Sequence, residues 1–429
     1  MVGTGYVGLV SGACFAEQGH HVICVDTNHQ KIDDLQAGII PIHEEGLQDL
    51  VDRNRANQQL KFTTSLKDAA READFIFIAV GTPESESGEA NLEYVYSVAD
   101  ELGRVLDDQR YRIIVDKSTV PIGTADEVER RISSLNANTR FDVCSVPEFL
   151  KEGSAVQDTL HPDRVIIGTH SAKAQEKLVE LHRPYTDQIF VTDIKSAEMI
   201  KYASNCFLAT KISFINEIAN LCELYGANVK DVAQAMGLDK RISPYFLQAG
   251  LGYGGSCFPK DVKALIHMAT AVNYEPHLLK AVHKVNAEQK KRVILHLERI
   301  FNGDLKGKKV GVLGLTFKPN TNDIREAPAF YIIKTLAKRG VDVAVYDPIA
   351  MESAKKELSS SVVTRTRAEQ VFEQADAVLL ITEWKEFLTL PFEKLKETMR
   401  LPIIIDGRNA LDSSKLKQLG YLYHGIGVK

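Results

Sequence analysis

The chain has 429 residues, well beyond the usual single-domain length, so several cores are expected. With 44% hydrophobic and 25% charged residues, wholesale disorder is excluded; 52 Lys and Arg against 57 Asp and Glu exclude the basic excess of a general nucleic-acid binder. No apolar run reaches membrane-spanning length, no charged-then-apolar leader opens the chain, and six cysteines without a CxxC pair or His/Cys ligand spacing point to a reducing cytoplasm and no structural metal.

The chain opens Met-Val-Gly3-Thr-Gly5-Tyr6-Val7-Gly8, followed by a helical stretch and a strand that ends at Asp26. Three glycines so spaced allow a tight turn, close approach of a pyrophosphate and close packing of helix on strand. Asp26, 18 residues after Gly8, is placed to accept a bond from a ribose hydroxyl and to repel a 2′-phosphate, so NAD is expected rather than NADP. Only Met1 and Val2 precede Gly3, whereas a strand of such a sheet usually supplies about five residues. A short β-forming leader is therefore expected to raise thermal stability and tighten NAD binding.

Short apolar runs at 21–26, 75–80, 113–115, 143–146, 165–168 and 189–191 read as strands, and amphipathic stretches at 92–106 and 124–135 read as helices between them. That alternation implies a mostly parallel sheet wrapped by helices. The turns Gly81-Thr82-Pro83 and Ser118-Thr119-Val-Pro121 follow strands and can line one crevice. So can Glu148 and Glu152 of PEFLKEG, because open α/β sheets bind ligands at the carboxyl ends of their strands.

From Ser196 to Tyr225 there is neither Gly nor Pro, and apolar residues occur around much of the circumference. A helix of that length, about 45 Å, should be buried on more than one side. Lys201 and Asn205, four apart, share one of its faces and suit an oxyanion or substrate hydroxyls; read alone, they suit a solvated face better. Next comes Gly250-Leu-Gly-Tyr253-Gly254-Gly-Ser-Cys257-Phe-Pro-Lys260-Asp261. Four glycines in six residues let backbone wrap a ligand, and Cys257 has the makings of a nucleophile. A thiol of ordinary pKa is only about 3% thiolate at pH 7, which Lys260, a helix start near Pro259 or Asp261 would raise. Cys14, Cys24, Cys144, Cys206 and Cys222 read instead as small buried apolar groups.

Strand–helix alternation resumes at Leu305, with strands at 310–313, 341–346, 377–381 and 402–406. Gly311-Val-Leu-Gly314 lacks the third glycine of a dinucleotide turn. Lys318, Arg325 and Arg408 nearby in sequence suit a phosphorylated ligand better than a second NAD.

The stretches GTGYVGLVSG, AVGTP, STVPIGT, PEFLKEG, KYASNCFLATKISF, GLGYGGSCFPKD and TFKPNTNDIREAP, in this order over essentially the whole chain, resemble the UDP-glucose/GDP-mannose dehydrogenase family, and within it the UDP-glucose branch. The resemblance implies an α/β protein with two Rossmann-like doubly wound domains, 1–195 binding NAD and 302–429 binding the UDP-sugar. A long-helix, all-α dimerisation segment, 196–301, joins them into a homodimer. It implies an NAD-dependent oxidoreductase that takes the primary alcohol of UDP-glucose to a carboxylate in two steps, through a thiohemiacetal and a thioester on Cys257. Lys201 and Asn205 would stabilise negative charge, Asp261 with Thr119 and a water would move protons, and Glu148 would assist hydrolysis. Phe149, Leu150, Phe246, Leu247, Gly250, Tyr253, Gly254, Lys318 and Arg408 fall where the family binds nucleotide sugar, and Arg241 where it reaches the neighbouring subunit's substrate. Asp26, Lys31, Thr82, Thr119, Glu152, Lys260 and Arg325 fall on the cofactor side. Left open are the same chemistry on GDP-mannose or an N-acetylated UDP-sugar, a one-step dehydrogenase, and a non-catalytic sensor of NAD or nucleotide sugar.

Overall fold

The computed structural model describes residues 1–85, 88–107 and 109–428. The chain divides into two compact units, Met1–Ser204 and Asn205–Lys429, with the boundary inside the helix Ile194–Tyr225.

In the first unit the strands are β1 (Val22–Val25), β2 (Leu60–Thr63), β3 (Phe75–Ile78), β4 (Arg112–Asp116), β5 (Phe141–Ser145), β6 (Val165–Gly168) and β7 (Ile189–Thr192). β1 pairs in parallel with β2, and β3, β4 and β5 are parallel neighbours. β6 meets β5 antiparallel at Ser145 and Gly168, then pairs in parallel with β7. Strand β2 has no counterpart in the sequence reading: Leu60 and Phe62 point inward and Lys61 outward, so no apolar run marks it. One face of the sheet packs Ile76, Ile78 and Ile114 against Val128 and Ile132 of the helix Thr124–Leu135. The other packs Phe77, Val115 and Ile167 against Phe15, Leu178 and Tyr185.

Met1–Gly3 runs between β1 and β3. Val2 bridges both Val25 and Ile78 in the parallel sense, its N–H donates to Phe77 O at 2.7 Å, and the Ala79 N–H returns to Val2 O at 2.8 Å. The Met1 ammonium donates to Ile23 O at 2.8 Å, and burial pulls its pKa down. Beyond it a groove of about 590 Å³ continues between the two strands, lined by Phe15, Ile23, Ala69, Phe75, Phe77 and their neighbours.

In the second unit β8 (Lys309–Leu313), β9 (Asp342–Tyr346), β10 (Val363–Thr364), β11 (Ala377–Leu380), β12 (Ile403–Asp406) and β13 (Leu422–Gly425) form one sheet in the order β10-β9-β8-β11-β12-β13. All its pairings are parallel. β10 and β13 escape the sequence reading because both are edge strands, one of two residues and the other with only alternate residues buried. The helical part of this unit shares its core with the sheet: Ile215, Ala219, Val229, Leu251 and Leu297 join Val310, Ile332, Leu379 and Ile405 in a single cluster. Glu223, near the end of the long helix, receives Arg292, His296 and the Gly427 N–H, which ties down the turn after β13. Along the same helix Phe207, Phe214 and Leu221 form a line at seven-residue spacing and are 66%, 48% and 45% exposed. No helix among the described residues is long and apolar enough to cross a membrane.

Candidate active site

The dinucleotide turn of the first unit follows from three steric requirements. Gly3 has φ +98°, and a Cβ there would lie 2.5 Å from Ala79 O. A Cβ on Gly8 would lie 1.9 Å from Gly3 O, so the helix can sit this close to the turn only with glycine. Nothing lies within 4 Å of a Cβ built on Gly5, which leaves that face open to a phosphate at the start of the helix Tyr6–Glu17, where Tyr6 and Val7 are half-buried. Asp26 accepts from the Thr4 N–H at 3.1 Å, Thr4 Oγ1 at 2.7 Å and Lys31 Nζ at 2.9 Å. Burial alone would raise its pKa, but these donors outweigh it and hold the carboxyl down at about 2. The site therefore presents a fixed negative charge at the end of β1, braced by Lys31.

The turns after β3 and β4 meet as the spacing predicts. Thr82 Oγ1 donates to Thr119 O at 2.9 Å, and Ser118 Oγ to Val80 O at 2.8 Å. After β5, Glu148 is buried with Lys201: Lys201 Nζ lies 2.6 Å from Glu148 O and 2.9 Å from Glu148 Oε1. The other Glu148 oxygen receives the Leu150 N–H at 2.8 Å. Phe149 lies beneath two cations, 4.0 Å from the Arg164 guanidinium carbon and 5.2 Å from Lys201 Nζ. Glu152 is half-buried at the far end of this segment, next to Gly153.

The second unit holds the thiol. Its glycine loop is fixed by amides: Asn216 Oδ1 accepts the Gly250 N–H, Gln289 donates to Gly250 O, and Asn286 bonds both N–H and C=O of Tyr253. A Cβ on Gly254 would lie 2.4 Å from Glu326 O, so the loop passes flush against the strand-end segment of the sheet domain. Arg408 fastens the same junction, donating to Gly252 O, Phe317 O and Ile381 O. Leu247 and Tyr253 are buried beside it, and Phe246 packs near Phe258 at 6.2 Å between ring centroids.

Cys257 caps the start of the helix Phe258–Ala271, which has Pro259 in its first turn. That end of a helix stabilises negative charge on sulfur. Ser256 Oγ is 3.6 Å from the sulfur, and the Asp261 N–H donates to Cys257 O at 2.9 Å. Asp261, 1% exposed, holds Asn205 Nδ2 at 2.6 Å on one oxygen and Lys260 Nζ at 2.8 Å on the other. Cys257 is half-buried, whereas the other five cysteines are fully buried. Burial pushes the thiols of Cys14 and Cys206 up to about 12, and those of Cys24 and Cys144 up to about 11.

Lys201 and Asn205 do not sit on a solvated face: both are buried, and each is engaged by a different carboxylate. Arg241 stands apart, its side chain 89% exposed and paired with Asp239. Arg325 is paired with Asp323, and Lys318 lies 5.5 Å from the centre of the Phe317 ring. At the end of β9, where Asp26 has its counterpart, Asp347 is buried and already accepts from Leu315, Thr316, Ile349, Ala350 and Trp384. It has no capacity for a ribose. The sequence does not reveal Thr4, Glu44, Asn216, Asn286 and Gln289, because each acts on a partner distant in sequence, Thr4 on the Asp26 carboxylate and the others on backbone.

A dinucleotide turn with a fixed acid at the end of β1 defines a dinucleotide-binding domain of the kind that nicotinamide-dependent dehydrogenases use. The models of the UDP-glucose/GDP-mannose dehydrogenase family match the chain in three parts: the NAD-binding domain over residues 1–186, the central domain over 195–288 and the UDP-binding domain over 311–413. The chain is 47% identical to the UDP-glucose 6-dehydrogenase TuaD of Bacillus subtilis, covering 100% of this chain and 92% of the relative. It is also 47% identical to a UDP-glucose 6-dehydrogenase of Rhizobium meliloti, over 100% and 98%. Among solved structures, a UDP-glucose dehydrogenase of the archaeon Pyrobaculum islandicum is similar with a TM-score of 0.93 and 38% identity, over 100% of this chain and 97% of that one. The chain belongs to the UDP-glucose/GDP-mannose dehydrogenase family, and its cofactor is NAD.

Replacing Asp26 by Asn keeps the shape but removes the charge. The KM for NAD is expected to rise about tenfold, in line with a lost charge-assisted bond, and discrimination against NADP to weaken. Steady-state kinetics with both cofactors check it; an unchanged ratio of the two would remove Asp26 from cofactor selection.

Proposed function

We propose that the protein oxidises UDP-glucose twice at its primary alcohol, giving UDP-glucuronate at the expense of two NAD+ and one water. The observation that carries this reading is Cys257: a thiol placed at a helix start beside Lys260 and Asp261, in a chain that also has a dinucleotide turn. A one-step alcohol dehydrogenase has no use for it. Gly3–Gly8 would hold NAD, with Asp26, Lys31, Thr82, Thr119, Glu152 and Arg325 on its side, and the bound cofactor would supply the hydride acceptor for each oxidation.

The residues of the chain do the rest. Lys201 and Asn205 stabilise negative charge on the substrate oxygen as the alcohol loses its proton. Asp261, with Thr119 and a water, takes that proton. The Cys257 sulfur adds to the aldehyde carbon and forms a thiohemiacetal, and removal of the second hydride leaves a thioester. Water, directed by Glu148, breaks the carbon–sulfur bond and restores the thiol. Phe149, Leu150, Phe246, Leu247, Gly250, Tyr253, Gly254, Lys318 and Arg408 hold the nucleotide sugar, and Arg241 reaches that of a second subunit. In this division 1–195 binds cofactor, 196–301 makes the dimer and 302–429 binds the UDP moiety. Six cysteines without a disulfide among the described residues suit a reducing cytoplasm.

Two NADH per UDP-glucose consumed are expected, with Cys257→Ser abolishing the overall reaction. One NADH per sugar, or an active Cys257→Ser enzyme, would overturn the thioester route. Turnover of GDP-mannose or an N-acetylated UDP-sugar in place of UDP-glucose would move the substrate within the family. Silence with all of these would favour a sensor.

The dimer rests on the line of Phe207, Phe214 and Leu221, an exposed apolar stripe of the kind that a second copy covers. Phe214→Asp is expected to give a folded monomer by light scattering with an unchanged circular dichroism spectrum. A wild-type protein already monomeric at micromolar concentration would overturn it.

A further inference from the structure

Glu44 lies in the loop ahead of the helix Leu47–Ala56, is only 6% exposed and makes no ion pair among the described residues. Its carboxylate is satisfied by neutral donors from two distant segments. Oε2 accepts from the Tyr6 hydroxyl at 2.6 Å and from the Gly153 N–H at 2.7 Å, and Oε1 accepts from the Ala155 N–H at 2.7 Å. The Gly153 N–H also approaches Tyr6 Oη at 3.3 Å. Burial, and then the Glu44 charge, drive the Tyr6 pKa up, so its hydroxyl remains a donor throughout the working range.

Tyr6 opens the helix of the dinucleotide turn, and Gly153 follows Glu152. The segment from Glu148 to Gly153 is therefore held at both ends by buried carboxylates. At the front Glu148 holds Lys201; at the rear Glu44 holds Gly153 and Ala155. Between the two clamps lie Phe149 and Leu150, which the proposed function gives to the sugar, and Glu152, which it gives to NAD. We infer that Glu44 is a positioning residue, which touches neither ligand but sets the segment 148–153 in register with the dinucleotide turn through Tyr6 and Gly153. The inference rests on that reading only for the ligands of 149, 150 and 152; the clamp itself is geometry.

A carboxylate is required because three donors converge on its two oxygens. An amide in its place would turn an NH2 group towards an N–H or towards the phenol, which would then keep only its other acceptor, His43 O at 2.8 Å. Glu44→Gln is therefore expected to weaken NAD+ binding at least fivefold and to lower kcat as well as raise KM for both ligands. Glu44→Asp, which keeps the charge and the acceptors, should recover part of the loss. Tyr6→Phe should shift the NAD+ dissociation constant in the same direction. The double variant Glu44→Gln/Tyr6→Phe should bind NAD+ no worse than Glu44→Gln alone, because both changes cut one linkage.

NAD+ titration by calorimetry needs no sugar, so it tests the clamp even if UDP-glucose is not the substrate. Wild-type NAD+ affinity and kcat in Glu44→Gln, with only the melting temperature lowered, would reduce the residue to a structural one. Additive losses in the double variant would separate it from Tyr6. Either result overturns the inference.

Discussion

A carboxylate taken out of water must be surrounded by donors, and in this protein that requirement fixes many of the loops at the rims of both sheets. Burial of a charge costs several kcal/mol, and each bond to a charged group returns about 1.5–3 kcal/mol, so two or three donors are needed before the ionised form is tolerated. Asp26, Glu44, Glu148, Asp261 and Asp347 all meet that count by recruiting backbone N–H groups or a cation. Where only two neutral donors are present, or none, burial wins. Glu198 accepts from the Gly123 and Ala125 N–H groups, yet desolvation still lifts it to about 7, and burial raises Asp116, with no side-chain donor on either oxygen, well above its ordinary value. The same rule thus yields a braced anion at the cofactor turn, Asp26, and buried acids of raised pKa, Asp116 and Glu198.

The elements that depend on local pattern were legible in the sequence. Gly3, Gly5 and Gly8 serve the turn they were expected to serve, the helix Thr124–Leu135 has the bounds its periodicity implies, and the long helix starts at Ile194, two residues before Ser196. Cys257 stood out from the other five cysteines because glycines and charges surround it rather than an apolar run. What escaped reading was set by partners far away in the chain. Nothing in His43-Glu44-Glu45 distinguishes the buried acid from its exposed neighbour, and Lys201 beside Asn205 does not reveal that each meets a different carboxylate. Edge strands β2, β10 and β13 were missed for a related reason: with one side open, they need no continuous apolar run.

The second unit shows why its helical segment is not an independent body. Its inward residues enter the same cluster as β8, β11 and β12, and the Arg408 guanidinium binds three carbonyls where the glycine loop crosses the strand ends. The loop that carries the thiol is held by the sheet domain as well as by amides on its own helices. The rim of that sheet meets the loop at Phe317, Arg325, Glu326 and Arg408.

The contrast among the cysteines has a chemical consequence. Five sulfurs are enclosed in apolar packing, four of them held firmly protonated, while one borders a helix start and is partly reachable. An electrophile or peroxide arriving from solvent therefore meets a single reactive sulfur, and the first rung of thiol oxidation falls there. One alkylating equivalent per chain is then a titration of the functional group itself, with the buried thiols as silent background.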